Sequence, residues 1–152
     1  MDVQWKDYLE DCGKMVIIEN NVKAAKIFEE KYKGNVIEWE GYFVYSYDGG
    51  TYILTENKHK LNFFIKMDNT ESLTYPDLIL SIGENYYRDH RTMIKSIENG
   101  DGLSFKASFE MLGDEFQLHH LHSVELKKTG KSKDLSNILH TKVSYQFFSN
   151  HN

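Results

Sequence analysis

A run at residues 36–50, VIEWEGYFVYSYDGG, constrains the fold of this chain more than any other stretch. Its residues alternate with a period of two, which is typical of a β-strand buried on one face. One face carries Ile37, Trp39, Gly41, Phe43 and Tyr45, and the other carries Glu38, Glu40, Tyr42, Val44 and Ser46. The Asp-Gly-Gly at its end tolerates positive φ angles, so we predict a hairpin in which TYIL (51–54) is the next strand.

Further stretches alternate in the same way. KLNFFIKM (60–67) sets Leu61, Phe63, Ile65 and Met67 against Asn62, Phe64 and Lys66. GDGLSFKASFEMLG (100–113) places Leu103, Phe105, Ala107, Phe109 and Met111 on one face. In FQLHHLHSVELKK (116–128) the alternation is weaker, and Val124 and Leu126 are the best core candidates. LILSI (78–82) fits either a strand or the lead-in to a helix, and Gly41 predicts a sharp bend or a close backbone approach.

Three segments have helical periodicity instead. The first carries Trp5, Tyr8, Leu9 and Cys12; the second, at 20–34, carries Val22, Ala25, Phe28 and Tyr32; the third, at 84–98, carries Tyr86, His90, Met93 and Ile97. An asparagine precedes the second helix and a glycine follows the second and the third, as helix caps do.

The element order predicts a mainly β (α+β) fold: a five-stranded OB-fold-like barrel with N-terminal helices and a helix between strands 3 and 4. Trp39, Phe63 and Phe105 are then expected to share its interior. We predict one structural domain with a helical cap at 1–34, the barrel at 35–128, and a polar, mobile C-terminal tail with a terminal aromatic segment at 129–152. A five-stranded α+β sandwich is the alternative arrangement.

Composition narrows the classes of function. The chain has 152 residues, a net charge of −5 and one cysteine, so no disulfide can form within it. The negative charge disfavours nucleic acid as a partner, because phosphate binding needs clustered Lys and Arg. No apolar run is long enough to span a bilayer.

Signals for chemistry are sparse. His119-His120-x-His122 is the one sequence that suggests metal, since His120 and His122 would share a strand face. No second cluster of ligands accompanies them, and no nucleophile motif or phosphate loop is present. We therefore predict a non-enzymatic protein without cofactor or metal, and keep a metal-dependent activity at His120 and His122 as an alternative.

The first part of the chain contains Trp5-x-x-Tyr8-x-x-x-Cys12-Gly13, then Glu19-Asn20, then Gly34-x-Val36-x-x-Trp39-x-Gly41-x-Phe43-x-Tyr45. This series resembles the carboxyl-terminal region of the wolframin family. Residues 60–67 and 95–113 are similar to it as well, so the resemblance covers about 3–128. It implies an OB-fold domain on the luminal side of an endoplasmic-reticulum membrane protein, tethered to the membrane in a longer parent. Without the resemblance, the cytoplasm is the expected compartment.

An OB-fold binds ligands across strands 2 and 3 and through the loops that join strands 1–2 and 4–5. The candidate partner-binding residues are Tyr42, Val44, Tyr52, Phe64 and Lys66 on the strands, and Asp48, Gly49 and Asp114 in the loops. An acidic, tyrosine-bearing surface suits a protein or peptide partner, because tyrosine gives contact area at low entropic cost. Two alternatives remain: binding of single-stranded nucleic acid, and a face covered by the N-terminal helices that binds nothing.

Overall fold

Five strands close into a barrel in the computed structural model, which describes residues 1–48, 61–68, 72–114 and 117–138. The strands are β1 (Val36–Asp48), β2 (Leu61–Lys66), β3 (Leu78–Ile82), β4 (Asp101–Met111) and β5 (His119–Ser132). Their order around the barrel is β1-β2-β3-β5-β4, and β4 pairs back with β1. All neighbours are antiparallel except β3 and β5, which are parallel. The predicted five-stranded OB-fold-like barrel is confirmed.

The second and third strands differ from those that the sequence predicted. KLNFFIKM supplies the second strand rather than the third, and LILSI is the third strand. Every residue of β3 is buried, so the strand has no solvent-exposed face to produce a clear alternating pattern. TYIL lies outside the described residues.

Helices flank the barrel at two places. The N-terminal ones are α1 (Trp5–Cys12), α2 (Lys14–Glu19) and α3 (Asn21–Ile27), followed by one π-helical turn at Phe28–Tyr32. Between β3 and β4 lie α4 (Glu84–Asp89) and α5 (Arg91–Lys95). The predicted face of the second helix is partly wrong, because Val22 is 75% exposed and Ala24 is buried. Ala24, Phe28 and Tyr32 follow one another at four-residue spacing on the buried face, and Val22, two residues before Ala24, therefore lies on the opposite side of the helix.

One apolar core joins the barrel to the N-terminal helices. Trp39, Phe63 and Phe105 all belong to it, as the strand pattern predicted. Trp5 and Tyr8 of α1 lie in the same cluster and are at most 5% exposed. The N-terminal helices therefore complete the core where the start of β1, the end of β4 and the start of β5 meet.

Gly41 permits the close approach that its place in the strand predicted. A Cβ atom there would lie 2.5 Å from Ile65 Cγ2 and 2.8 Å from Met67 Sδ. Because real contacts are never that short, β2 can pack at this distance only against a glycine. This approach lets β1 pair with β4 through its first half and with β2 through its second half.

Two irregularities in strand pairing correct the predicted faces. The register of β1 against β2 shifts between Phe43 and Tyr45, so Tyr45 packs outside the barrel rather than in its core. The register of β4 against β5 shifts opposite Val124, which is 52% exposed, while Leu121 and Leu126 are buried. A bulge of this kind reverses the alternation beyond it.

The end of the barrel also differs from the prediction. β5 continues to Ser132, beyond the expected boundary at 128, and Leu135 is only 4% exposed. Residues 133–138, part of the tail that was expected to be mobile, have one buried side chain, that of Leu135, and one partly buried side chain, that of Ile138. No helix among the described residues has the length and apolar character needed to cross a membrane.

Candidate functional site

The side of β1, β2 and β3 that points away from the barrel interior, termed the outer face, contains three of the predicted partner-binding residues, Tyr42, Val44 and Phe64. Val44, Phe64 and Ile79 form its apolar centre and are joined there by Leu135. Tyr42, Tyr45 and Tyr47 are half-buried around this centre. The Tyr47 ring stacks on Phe64 with 5.3 Å between the ring centroids. The outer face is thus an aromatic-rich apolar surface, separate from the barrel core.

The strand pairing explains why these side chains meet. Tyr45 is opposite Phe64 across β1 and β2, and Phe64 is opposite Ile79 across β2 and β3. Paired residues of antiparallel strands point to the same side of a sheet, so all three lie outside the barrel. Val44 occupies the bulge and also points outward.

Several of the predicted site residues are not exposed as expected. Val44 is 7% exposed and Phe64 is fully buried, so neither offers a free surface to a partner. Among the described residues, Leu118, Leu135 and Ile138 pack on these side chains, and the cluster contains no residue of the N-terminal helices. Tyr42 remains half-buried at the edge of the cluster.

Lys66, predicted as an exposed contact residue, is instead buried at 4% exposure. Its ammonium donates to the carbonyl oxygens of Ser72 and Tyr75, and it lies 3.6 Å from Asp77 Oδ2. Burial lowers the pKa of Lys66, and the neighbouring Asp77 carboxylate opposes that change. Lys66 therefore holds the segment before β3 against β2, which is a structural role.

The predicted loop residues fall in two groups. Gly49 and Tyr52 lie outside the described residues, and Asp48 is described only as the last backbone position of β1. Asp114 lies in the turn between β4 and β5, where its Oδ1 atom accepts the Gln117 N–H at 2.8 Å. The structure thus ties Asp114 into its own turn.

An acidic cleft lies next to the outer face. It has a volume of about 520 Å³ and is lined by Gln4, Trp5, Lys6, Glu38, Trp39, Glu40, Met67, Asp68 and Ser104. A smaller cavity of about 120 Å³ shares Glu40 and Asp68 with it and extends to Tyr42. The lining of the cleft carries three carboxylates, those of Glu38, Glu40 and Asp68, and the ammonium group of Lys6.

Lysines from the end of the barrel pair with two of these carboxylates. Lys131 Nζ lies 3.4 Å from Glu40 Oε1, and Lys133 Nζ lies 3.1 Å from Asp68 Oδ1. Lys133 Nζ is also 5.4 Å from the centroid of the Tyr42 ring. No local sequence pattern predicts this set of residues, because its members come from β1, from the end of β2 and from the end of β5.

A buried polar cluster occupies the other part of the outer face. Ser81 Oγ donates to Asn62 Oδ1 at 2.8 Å and is hydrogen-bonded to His120 Nε2, and Glu110 Oε2 lies 3.6 Å from the same nitrogen. A Ser-His-acid triad needs the carboxylate on the other ring nitrogen and an accessible hydroxyl. Ser81 is fully buried, so this cluster resembles a structural network rather than a catalytic one.

His120 and His122, the candidate metal ligands, lie two residues apart on β5, and His122 is half-buried. His120 is engaged by Ser81, and His119 faces the barrel core, where its Nδ1 atom is hydrogen-bonded to Tyr8. Within the described ranges, no group of three or more His, Cys, Asp or Glu side chains is arranged to hold a metal ion.

Comparison with models of known protein families gives no match. None of the curated proteins compared with the chain is significantly similar to it.

Proposed function

We propose that this chain is a non-catalytic interaction module that binds a protein or peptide partner on the outer face of its OB-fold-like barrel. One observation carries the proposal: a segment of the chain itself, 133–138, lies on this face with Leu135 in its apolar centre. A surface that holds an aliphatic side chain of a peptide segment has the shape and chemistry to hold another such segment.

The surroundings of the face support a peptide over a nucleic acid. Tyr42 and Tyr45 give half-buried aromatic area next to the apolar centre. In the adjoining cleft, Lys131 and Lys133 pair with Glu40 and Asp68, so the cleft has no excess of positive charge to bind phosphates. Tyrosines beside an apolar pocket are common at sites of protein recognition.

The resemblance to the wolframin family extends the proposal to location. We propose that the module is the luminal part of an endoplasmic-reticulum membrane protein. The barrel fold is compatible with this relationship. Fractionation of the native protein tests it, since recovery with endoplasmic-reticulum membranes supports the assignment and recovery in the cytosol contradicts it.

A site-specific crosslinking experiment tests the binding face. A photoreactive amino acid is placed at Tyr42, and in a matched control at Val124, which is 52% exposed on β5. We expect a captured protein at position 42 and none at position 124. The purified captured protein should then bind the wild type and Val124→Ala equally in calorimetry, and Tyr42→Ala at least fivefold more weakly.

Two outcomes would contradict the proposal. Equal capture at both positions would place binding elsewhere or show it to be unspecific. Micromolar binding of labelled single-stranded oligonucleotides, measured by anisotropy at low salt, would favour the nucleic-acid alternative instead.

A further inference from the structure

We infer that residues 133–138, Lys-Asp-Leu-Ser-Asn-Ile, are an intramolecular substitute for the partner, so that the partner supplies a segment of the same chemistry. The inference rests on the proposed function and specifies its ligand. The partner segment has a basic residue, an aliphatic residue two positions later, and a second aliphatic residue three positions after that. The chain's own segment must leave before this segment can bind.

The basic position is defined by Lys133. Its ammonium lies 3.1 Å from Asp68 Oδ1 and 5.4 Å from the centroid of the Tyr42 ring. A carboxylate beside an aromatic ring selects a cation. The side chains of Lys133 and Asp68 are 46% and 70% exposed, and ion pairs exposed to this degree contribute little to stability. A lysine or arginine from outside can therefore replace Lys133 at small cost.

The aliphatic positions are defined by Leu135 and Ile138. Leu135 is buried in one cluster with Val44, Phe64 and Ile79, and Ile138 packs against that cluster while partly exposed. Burial of aliphatic side chains gives most of the free energy of binding to such a pocket. These contacts select Leu, Ile or a side chain of similar shape at both positions.

The segment is attached more weakly than the strand before it. The ladder between β4 and β5 ends with the pair Asp101 and Ser132. In the described part of the chain, three hydrogen bonds join 133–138 to the barrel body. The Lys133 N–H donates to the Gly100 carbonyl at 2.9 Å, Lys133 Nζ donates to Asp68 Oδ1 at 3.1 Å, and Asn137 Nδ2 donates to the Leu73 carbonyl at 3.1 Å. A segment held by few hydrogen bonds opens locally without unfolding of the barrel.

The acidic cleft favours further basic residues in the partner segment, at positions before the one that replaces Lys133. The cleft and the smaller cavity beside it share Glu40 and Asp68, and the smaller cavity reaches Tyr42. A partner segment that binds beside Tyr42 therefore directs its preceding residues toward carboxylates. Further lysines or arginines there should strengthen binding, and added salt should weaken it.

The test uses the full chain and a fluorescein-labelled peptide with the sequence of residues 130–138, GKSKDLSNI. Anisotropy is measured for the wild type, for Leu135→Ala and for Lys133→Glu. Both substitutions weaken the internal segment, the first by removing its apolar anchor and the second by placing an acid beside Asp68. Lys127→Glu is the matched control, since Lys127 is 71% exposed on β5 and pairs with Glu125 instead.

We expect Leu135→Ala to bind the peptide at least tenfold more tightly than the wild type, because the internal segment competes at a high effective concentration. Lys133→Glu should show a smaller gain, and Lys127→Glu none. Two altered peptides are also tested on the Leu135→Ala protein, one with both lysines changed to glutamate and one with leucine changed to alanine. Each should bind at least fivefold more weakly than the unaltered peptide. Thermal unfolding of each variant verifies that the barrel remains folded.

Folded variants that bind the peptide no better than the wild type would overturn the inference. So would a wild-type dimer in sedimentation that Leu135→Ala dissociates, because the segment would then come from a second copy. If the protein captured at Tyr42 binds the face but the peptide does not compete with it, the inference fails and the proposed function stands. If the peptide binds but the captured protein does not require Tyr42, the proposed function fails and the inference about the internal segment stands.

Discussion

The hydroxyl of Tyr8 and the Nδ1 atom of His119 are 2.8 Å apart and join α1 to the start of β5 inside the protein. The same Nδ1 atom accepts the Gly113 N–H at 3.1 Å. A nitrogen that accepts an N–H bond carries no proton of its own, so the Tyr8 hydroxyl is the donor to His119. This contact fixes the N-terminal helices on the barrel through a polar group in an apolar core.

Replacement of Tyr8 by phenylalanine should therefore lower stability by a moderate amount. The ring and its stacking on Phe109 remain, while the hydrogen bond to His119 is lost. We expect a loss of about 0.5–1.5 kcal/mol in the free energy of unfolding, measured by urea denaturation. Tyr75→Phe is the control, because Tyr75 is 40% exposed and should show little change. Equal losses in the two variants would contradict a specific role for the Tyr8 hydroxyl.

Gly41 should not tolerate a side chain. The added methyl group of Gly41→Ala would overlap Ile65 Cγ2, which belongs to a fully buried side chain. Overpacking of this kind costs about 1–3 kcal/mol. Gly83→Ala is the comparison, since its Cβ atom would lie 3.7 Å from His122 Cε1, an ordinary contact. Chemical denaturation measures the free energy of unfolding of both variants. If Gly41→Ala is as stable as Gly83→Ala, β1 does not pack on β2 as closely as described.

The hydrogen bond between Tyr32 and Asp11 should make the stability of the fold depend on pH. The Tyr32 hydroxyl donates to Asp11 Oδ2 at 2.5 Å, and this bond, followed by the nearby Lys31, lowers the pKa of Asp11 below 3.8. A carboxyl group with a lower pKa in the folded state stabilises the fold above its unfolded pKa and loses that contribution as pH falls through the folded pKa.

Tyr32→Phe should therefore be less stable than the wild type at pH 6, and the difference should shrink as the pH falls below 3.8. Urea midpoints at several pH values between 2 and 6 measure this. Lys33→Met is the control, because Lys33 forms an exposed pair with Glu29 outside this contact. A difference between the wild type and Tyr32→Phe that stays constant across this range would exclude the proposed coupling.

Cys12 should report the opening of the N-terminal helices. Burial raises the pKa of its thiol to about 12, and the side chain is fully buried. Since the thiolate is the reactive form, we expect labelling by iodoacetamide at pH 8 to be at least a hundredfold slower in the folded protein than in urea. Rapid labelling of the folded protein would show that α1 separates easily from the core. The Tyr8→Phe variant should label faster than the wild type.

The sequence determined the barrel and much of its core, because the alternation of side chains along a strand is a local property. Trp39, Phe63 and Phe105 reach the interior as their spacing predicts. The pattern left β3 undecided between strand and helix, because burial of both faces removes the alternation. It was wrong beyond Val44, where a bulge reverses the alternation.

The state of the outer face was decided by the tertiary structure alone. Val44 and Phe64 were correctly assigned to one side of the sheet, yet whether that side meets solvent depends on Leu135, which lies 71 residues after Phe64 in the chain. The pairing of Lys133 with Asp68 and Tyr42 likewise joins residues that are distant in sequence. A repeating pattern determines which side chains share a face, whereas the cover on that face comes from packing between remote segments, which no local pattern records.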